Sequence, residues 1–215
     1  MARLYDATWG RFFSAAYDRL LRGTEEAGLR EIRRECLASA TGRTIDIGAG
    51  TGANLSLFPS AVSELVLAEP DPHMLSRLRA RLDTAPPGTE VVQAGAEALP
   101  FEDASFDTAV FTLVLCTVPN PSAALAEAAR VLKPGGRLLF VEHVRAEDPG
   151  LARWQDRLER PWHFLGDGCH CNRDTARAIE AGPFEQLRIE HGEMPKAPPI
   201  VRPLMHGAAV RSGAA

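Results

Sequence analysis

The residues that could carry chemistry fall into two stretches, and the first is a glycine-rich segment followed by an acidic residue. Residues 44–54 read TIDIGAGTGAN, with an aspartate at 46, and Glu69 ends the next apolar run. Glycine allows a sharp turn and a close approach of the backbone to a ligand. A carboxylate at the end of the second strand can accept both hydroxyls of a ribose. This pattern predicts a nucleotide-type cofactor site.

The residue types favour S-adenosylmethionine over NAD as the cofactor. Gly48, Gly50 and Ala53 satisfy the dinucleotide pattern G-x-G-x-x-G/A. However, the carboxylate of Asp46 suits a ligand with an amino group and a sulfonium better than a pyrophosphate, and the early third glycine, Gly52, points the same way. An NAD-dependent oxidoreductase stays a remote alternative. The turn could also serve only to pack a helix on the sheet, and Asp46 could have a capping role.

The second stretch, PWHFLGDGCHCNRDT at residues 161–175, contains two cysteines, two histidines and two aspartates. Structural zinc sites normally use cysteine pairs two to four residues apart together with a second pair. Here Cys169 and Cys171 are separated by one residue, and the sequence has no second pair, so no metal site is predicted. A disulfide over that spacing would be strained. We interpret the segment, with the helix at 150–164, as a lip over the active site; a packed corner with buried thiols is the alternative.

Alternating elements must position these residues. Residues 1–40 have helical spacing, and from residue 43 short apolar runs alternate with helical segments, one of which is expected to begin at the glycine loop. This alternation predicts an α/β, Rossmann-like, doubly wound and mainly parallel seven-stranded sheet with an antiparallel last strand and an N-terminal helical lid. We expect residues 1–40 to form the lid and residues 41–215 the cofactor-binding domain, with a substrate-side insertion at 150–182. The helix at 150–164 is expected to be interrupted at Pro161.

Composition excludes several classes of protein. The 215 residues carry a formal charge of −4, which argues against a nucleic-acid partner. The longest apolar run, residues 109–118, is too short to span a bilayer, so no stable membrane insertion is expected. No segment resembles a signal peptide, which favours a cytoplasmic protein with four free thiols. A monomer or a homodimer is expected.

The chain resembles the class I S-adenosylmethionine-dependent methyltransferases with a type 11 domain. The resemblance depends on IDIGAGTG, LAEPDPHML, AEALPFEDASFD and AARVLKPGGRLLFVEH, in that order. It implies that the glycine loop wraps the methionine part, that Pro70 and Met74 flank the adenine, and that Ala96 and Glu97 lie at its edge. Gly95 replaces the aspartate that usually binds the adenine amino group. The predicted cofactor-binding set is Tyr17, Asp46, Gly48, Ala49, Gly50, Thr51, Gly52, Asn54, Glu69, Pro70, Met74, Gly95, Ala96, Glu97 and Leu113.

A closer resemblance is to the thiol S-methyltransferases of the methyltransferase-like group. It depends on GTGANLSLFP, FTLVLCTVPN, LKPGGRLLFVEHV, PWHFLGDGC and VRPLMHGAAV. Those enzymes methylate hydrogen sulfide and small alkyl thiols, and their mammalian members carry an N-terminal membrane anchor. The resemblance implies a small-molecule thiol acceptor. A phenolic or quinone oxygen or carbon, or a lipid amine, stays open as the acceptor.

Methylation of a thiol requires the thiolate, and a free thiol has a pKa of about 8.5. His143, which follows the strand RLLFVEH, is the candidate base, with a structural role as the alternative. Asp167, on the lip with His163, is a weaker catalytic candidate. Cys116 follows the fourth strand, where it either lines the pocket or belongs to the core. In the N-terminal helix, Tyr17 is in reach of the methionine carboxylate or the substrate, and Phe12 and Phe13 are expected to pack on the sheet.

Overall fold

A seven-stranded sheet lies at the centre of the structure. The computed structural model describes residues 2–213, with side chains from residue 13 onward. The strands are β1 (Gly42–Ile47), β2 (Val62–Ala68), β3 (Glu90–Val92), β4 (Phe106–Thr112), β5 (Leu132–His143), β6 (Phe184–Glu193) and β7 (Pro203–Arg211). Their order is β3-β2-β1-β4-β5-β7-β6, and only β7 runs antiparallel to its neighbours. The predicted fold class is confirmed.

Helices cover both faces of the sheet. They are α1 (Ala2–Thr24), α2 (Arg30–Leu37), α3 (Pro72–Arg79), α4 (Pro121–Val131), α5 (Pro149–Leu165) and α6 (Thr175–Glu180), with a π-helical turn at Glu25–Leu29 between the first two. One apolar cluster joins α4 and α6 to the sheet, and a second joins α2 and α3 to its other face. None of the described helices is both long and apolar enough to cross a bilayer.

The sheet brings the predicted site residues to one edge. In the parallel register, Ile47 pairs with Ala68 and with Phe111, so β1, β2 and β4 end together. β5 extends to His143 at the same end. The chain crosses from one side of β1 to the other between β3 and β4, and ligands of open α/β sheets bind at such a switch point. The fold therefore places the glycine loop, Glu69 and His143 at one edge of the sheet.

The prediction of a helix at the glycine loop is wrong. Residues after Gly52 form turns and a single 3-10 turn at Leu55–Leu57. Phe58 takes an extended conformation and Pro59 follows it, and β2 begins at Val62, so the segment is too short for a packed helix. The loop thus presents turn backbone, and no helix N-terminus, to a ligand.

The prediction that Pro161 interrupts the 150–164 helix is also wrong, because α5 is continuous from Pro149 to Leu165. Proline removes one backbone donor, but anchors elsewhere hold the helix. Asp148 caps its first turn by accepting from the Leu151 N–H at 2.7 Å. The fully buried Gln155 ties its middle to backbone groups of residues 144, 146 and 200.

Candidate active site

The glycine loop is shaped by close packing on two sides. Gly48 has φ +74°, and a Cβ built there would lie 2.6 Å from a methyl group of Val114. Gly52 has φ +86°, and its Cβ would lie 2.7 Å from Leu55 and 2.8 Å from Leu78. Gly52 therefore serves packing beneath the loop, whereas Gly48 lets the loop approach the chain after β4.

Asp46 is held by a buried polar network under the loop. The Asn54 side-chain amide donates to both carboxylate oxygens of Asp46, at 3.0 and 3.2 Å, and to the Thr112 hydroxyl at 2.9 Å. Burial raises the pKa of Asp46 to about 6, against the opposing effects of Asn54 and Arg33. A cation bound above the loop would stabilise the charged form of this carboxylate. The Asp46 carboxylate therefore fits the positively charged ammonium and sulfonium groups of S-adenosylmethionine.

Glu69 links the glycine loop to the start of α3. Its carboxylate accepts from the backbone N–H groups of Gly50 and Asp71, both at 2.8 Å. Burial raises the pKa of Glu69, and these two hydrogen bonds oppose the shift. Each carboxylate oxygen has a second lone pair, so Glu69 can still accept from the hydroxyls of a ribose.

A narrow cleft of about 20 Å³ opens on the loop. It is lined by Tyr17, Arg33, Gly48, Ala49, Gly50, Thr51, Ala53, Asn54 and Thr112. Arg33 is buried, and its guanidinium donates to the Asn54 side-chain oxygen at 3.2 Å and to Glu25 at 3.1 Å. Its charge suits the carboxylate end of an amino acid. Tyr17 and Arg33 belong to the N-terminal helices, so those helices form one wall of the cleft.

Polar contacts among Asp18, Thr51 and Arg81, which we call the strap, join α1 to the glycine loop. The Thr51 hydroxyl donates to Asp18 at 2.6 Å, and Arg81 donates to Asp18 at 2.8 Å and to the Thr51 carbonyl at 3.0 Å. Nearby, the Phe13 and Tyr17 rings contact each other with centroids 5.5 Å apart. The expected packing of Phe12 lies outside the described side chains.

The residues assigned to the adenine lie beside the cleft and outside its lining. Met74 and Ala96 are buried, Pro70 is exposed, and Gly95 and Glu97 are half-buried. Glu97 accepts from the Asn120 N–H at 3.2 Å and so joins the two loops that follow β3 and β4. The adenine assignments stay predictions.

The loop after β4 is built around Glu142. This fully buried carboxylate accepts from the N–H groups of Val114 at 2.8 Å and Leu115 at 2.9 Å. Leu113, just before them, has φ +59° and donates its N–H to the Val141 carbonyl at 2.8 Å. Glu142 thereby fixes the turn that carries Cys116. His143 is the residue that follows Glu142, so the turn brings Cys116 close to His143.

Three buried side chains meet at this point: Cys116, His143 and Cys169. One ligand-type atom from each lies within 4.8 Å of the others. His143 Nε2 is 2.9 Å from Cys169 Sγ, and the Trp162 indole donates to the same sulfur at 3.1 Å. The Cys169 hydrogen bond, followed by burial, raises the pKa of Cys116 well above its ordinary value, so this group stays a thiol.

His143 has one ring nitrogen without a partner. Its Nδ1 is buried and makes no hydrogen bond in the described part of the chain. Burial lowers the pKa of His143, but the neighbouring Cys116 and the Glu142 carboxylate outweigh that effect and raise it above 6.5. A buried polar atom left unpaired is costly. Nδ1 therefore marks a place where a ligand group would be bound.

Asp167, the second predicted catalytic residue, stands two residues before Cys169 in the chain. Asp167 lies on the turn that follows α5, with φ +51°, and is half-buried. The next residues lead the chain inward to Cys169, so the turn determines where that sulfur lies. The catalytic role predicted for Asp167 stays a prediction.

Tyr17 lies between the two polar regions. Burial of its phenol raises the pKa; Arg33 opposes the shift, and Cys116, Glu25 and Glu69 add to it. The phenol is thus within electrostatic range of Glu69 in the cofactor region and of Cys116 in the other. Tyr17 is therefore the residue of the cleft lining that is coupled electrostatically to both regions.

Sequence reasoning missed Arg33, Thr112, Asp18 and Arg81. A signal existed for Arg33. Leu29, Arg33 and Leu37 repeat at four-residue intervals, and all three are buried. An arginine inside an apolar helical stripe indicates a buried cation with a partner. Asp18 and Arg81 offered no such signal, because they lie on polar faces far apart in sequence.

Comparison with known proteins places this arrangement in a family. A model described as "Methyltransferase domain" matches residues 45–140. Thiol S-methyltransferase TMT1A of Homo sapiens is 36% identical over 171 residues, which cover 78% of this chain and 70% of that protein. The ubiquinone/menaquinone biosynthesis C-methyltransferase UbiE of Ectopseudomonas mendocina (strain ymp) is 37% identical over 153 residues, or 66% of this chain and 59% of that protein.

A solved structure shows the same fold. It is a SAM-dependent methyltransferase from Thermotoga maritima, described as a possible histamine N-methyltransferase. Its TM-score is 0.71 at 22% sequence identity, over 95% of this chain and 99% of that chain. The likeness extends over the N-terminal helices and the final strands as well as the central sheet.

Proposed function

The chain belongs to the S-adenosylmethionine-dependent methyltransferase family that includes the thiol S-methyltransferases, and we propose that it methylates the sulfur of a small thiol. The observation that carries this proposal is His143, which contacts the Cys169 sulfur through Nε2 and whose buried Nδ1 has no hydrogen-bond partner among the described residues. A site for a charged or strongly hydrated acceptor would need more polar partners, whereas a sulfur fits among sulfur and imidazole groups.

On the cofactor side, residues of this chain would bind and orient S-adenosylmethionine. S-adenosylmethionine supplies a methyl group on a positively charged sulfur. Asp46 provides negative charge beneath the glycine loop, Glu69 accepts from ribose hydroxyls, and Arg33 pairs with the carboxylate end. These roles follow from burial and charge at each position. Because displacement at such a carbon needs little covalent help, positioning and water exclusion supply most of the catalysis.

On the acceptor side, His143 receives the thiol proton. With Nε2–H directed at the Cys169 sulfur, Nδ1 carries the lone pair and can accept the proton. The proton moves from the acceptor S–H to Nδ1, and the resulting thiolate is the nucleophile. Cys116 stays protonated and lines the acceptor position.

The N-terminal helices act as a lid in this account. The cleft of about 20 Å³ is far below the range of about 300–1,000 Å³ that ligand pockets usually have. Tyr17 and Arg33 line it from α1 and α2, so these helices must shift outward when the cofactor enters. Residues 150–182 form the wall on the acceptor side, with α5 and the turn that carries Cys169.

Methyl-labelled S-adenosylmethionine, offered with a panel of alkyl thiols, phenols, quinols and amines, tests the proposal. We expect turnover of thiols to give methyl thioethers. A carbon-methylated quinol product would assign the acceptor by likeness to the UbiE relative and contradict the thiol proposal. Calorimetry with S-adenosylhomocysteine separates a failed acceptor assignment from a failed cofactor site.

A further inference from the structure

We propose that Glu159, His163 and His170 form a zinc-binding site on the lip, which we define as α5 and the loop after it, residues 149–174. The three donors are separate from the Cys116–His143–Cys169 cluster. The proposal therefore goes beyond the proposed function and does not depend on the identity of the methyl acceptor.

The donor atoms are already close together. His170 Nδ1 is 2.8 Å from a Glu159 carboxylate oxygen, and the rings of His163 and His170 have centroids 4.4 Å apart. One ligand atom from each residue lies within 4.8 Å of the others. Zinc–nitrogen and zinc–oxygen bonds of about 2.1 Å separate two tetrahedral ligands by about 3.4 Å. Small side-chain rotations would bring the three atoms to that spacing.

The backbone fixes this arrangement. Glu159 and His163 are four residues apart on α5, so their side chains lie on one face. Gly168, at φ +89°, turns the chain back, and its N–H donates to the His163 carbonyl at 2.9 Å. The His170 N–H donates to the Cys116 carbonyl at 2.8 Å. Helix and loop are therefore held in position by contacts that a metal would not disturb.

The donor chemistry suits zinc. Two imidazoles and one carboxylate form a zinc site with three protein ligands, which leaves a position for water. The Glu159 and His170 side chains are 22% and 31% exposed, so an ion can enter from solvent. Arg173 is the nearby cation, and its guanidinium is engaged with the Leu115 and Val118 carbonyls at 2.6 and 2.7 Å. The carboxylate of Glu159 offsets its charge.

A zinc ion at this position would join α5 to the loop that carries Cys169. Cys169 points into the buried cluster, and the next residue, His170, points to the metal donors. Ligands that bind only the folded state raise stability by mass action. Zinc is therefore expected to raise the melting temperature and to hold the lip in its folded position.

The test uses the untagged full chain, dialysed against chelator. Titration calorimetry with zinc chloride is expected to show one ion per chain, with a rise in melting temperature. Glu159→Gln, His163→Gln and His170→Gln should each weaken zinc binding by more than about tenfold. His191→Gln is the control, because His191 is also an exposed histidine close to a glutamate, 3.8 Å from Glu147. Circular dichroism checks that each variant is folded.

Cobalt substitution distinguishes the proposed site from the buried thiols. Cobalt bound to nitrogen and oxygen lacks the intense near-ultraviolet charge-transfer band that cobalt–thiolate bonds give. We expect no such band in the parent protein. The proposal is overturned if zinc does not bind, if the three variants bind it like the parent, or if the band appears and is lost in Cys116→Ser.

Discussion

The cofactor side and the acceptor side of the crevice differ in how their polar groups are satisfied. In the cofactor region, Asp46 and Glu69 both accept hydrogen bonds from groups of the chain itself. In the acceptor region, His143 keeps a buried nitrogen without a partner in the described residues. The cofactor region is thus preorganised without its ligand, whereas in the proposed function a bound acceptor would supply the partner that Nδ1 lacks. The predictions below test this difference.

The largest expected effect is on the acceptor side. His143→Gln should lower turnover of an alkyl thiol about 100-fold or more at neutral pH, since general-base catalysis typically contributes 10²–10⁴. The neutral imidazole is the active form and its pKa is raised, so the parent rate should fall as the pH drops through a value above 6.5. The variant should instead follow the ionisation of the free thiol, near 8.5.

Rate–pH profiles of the two proteins check this prediction. The ratio of the two rates should be large at low pH and shrink above the thiol pKa. His191→Gln, at an exposed histidine, is the matched control. Superimposable profiles for parent and His143→Gln would remove the histidine from the mechanism.

The next effect is on stability and concerns Asp46. Burial raises its pKa to about 6, against about 3.9 in the unfolded chain, so its charged form costs stability as the pH rises through that interval. Asp46→Asn should therefore stabilise the ligand-free protein by up to about 3 kcal/mol at pH 7.5 and by about half as much at pH 5. Denaturant unfolding at both values measures this gain.

The same substitution should weaken binding of the cofactor. Asp46→Asn removes the negative charge beneath the loop, so S-adenosylhomocysteine affinity should fall while stability rises. Asp83→Asn, at an exposed aspartate, should change neither. Equal stability of Asp46→Asn and parent at pH 7.5 would show that burying the charged Asp46 carboxylate does not cost the stability described.

Glu69→Gln is expected to reduce S-adenosylhomocysteine affinity about tenfold or more, because one charge-assisted hydrogen bond contributes roughly 1.5–3 kcal/mol. The amide keeps the shape and one acceptor for the Gly50 or Asp71 N–H. Glu64→Gln is the control, since Glu64 lies on β2, the strand that leads to Glu69, with its side chain 67% exposed. Calorimetry that returned equal affinities for all three proteins would exclude Glu69 as the ribose acceptor.

The smallest effect concerns the strap between α1 and the loop. Asp18 and Arg81 form an ion pair at 2.8 Å, but their side chains are 32% and 42% exposed. Such pairs contribute about 0–1 kcal/mol. Asp18→Asn should therefore shift thermal stability only slightly and change cofactor affinity less than Asp46→Asn does. A loss of affinity as large as that of Glu69→Gln would show that the lid is part of the binding site itself.

The sequence predicted which residues gather at the glycine loop better than it predicted the contacts of the Cys116–His143–Cys169 cluster, for a physical reason. Strand periodicity, the glycine turn, Asp46 and Glu69 are local patterns, and parallel strands bring their ends together without further information. The cluster on the acceptor side combines Cys116, His143 and Cys169 from three separate segments. Tertiary packing alone sets those distances, so each residue could be named as a candidate but their contact could not.

The two errors in the helices have the same origin. Whether the segment after Gly52 forms a helix depends on the room left before β2, and α5, which continues through Pro161, is also held by tertiary contacts such as those of the buried Gln155. Neither the available room nor the anchor is visible in local periodicity. The missed residue Arg33 is different, because its position within an apolar helical stripe was visible in the sequence.

The central claim is that the acceptor atom is sulfur, and a competition experiment measures it most directly. The protein is given methyl-labelled S-adenosylmethionine with equal amounts of an alkyl thiol and the alcohol and amine of the same carbon chain. Carbon-13 NMR then separates the S-, O- and N-methyl products in one sample. The account predicts the methyl thioether alone, at a rate that falls in His143→Gln. Methyl ether or methylamine formed in preference to the thioether would contradict it.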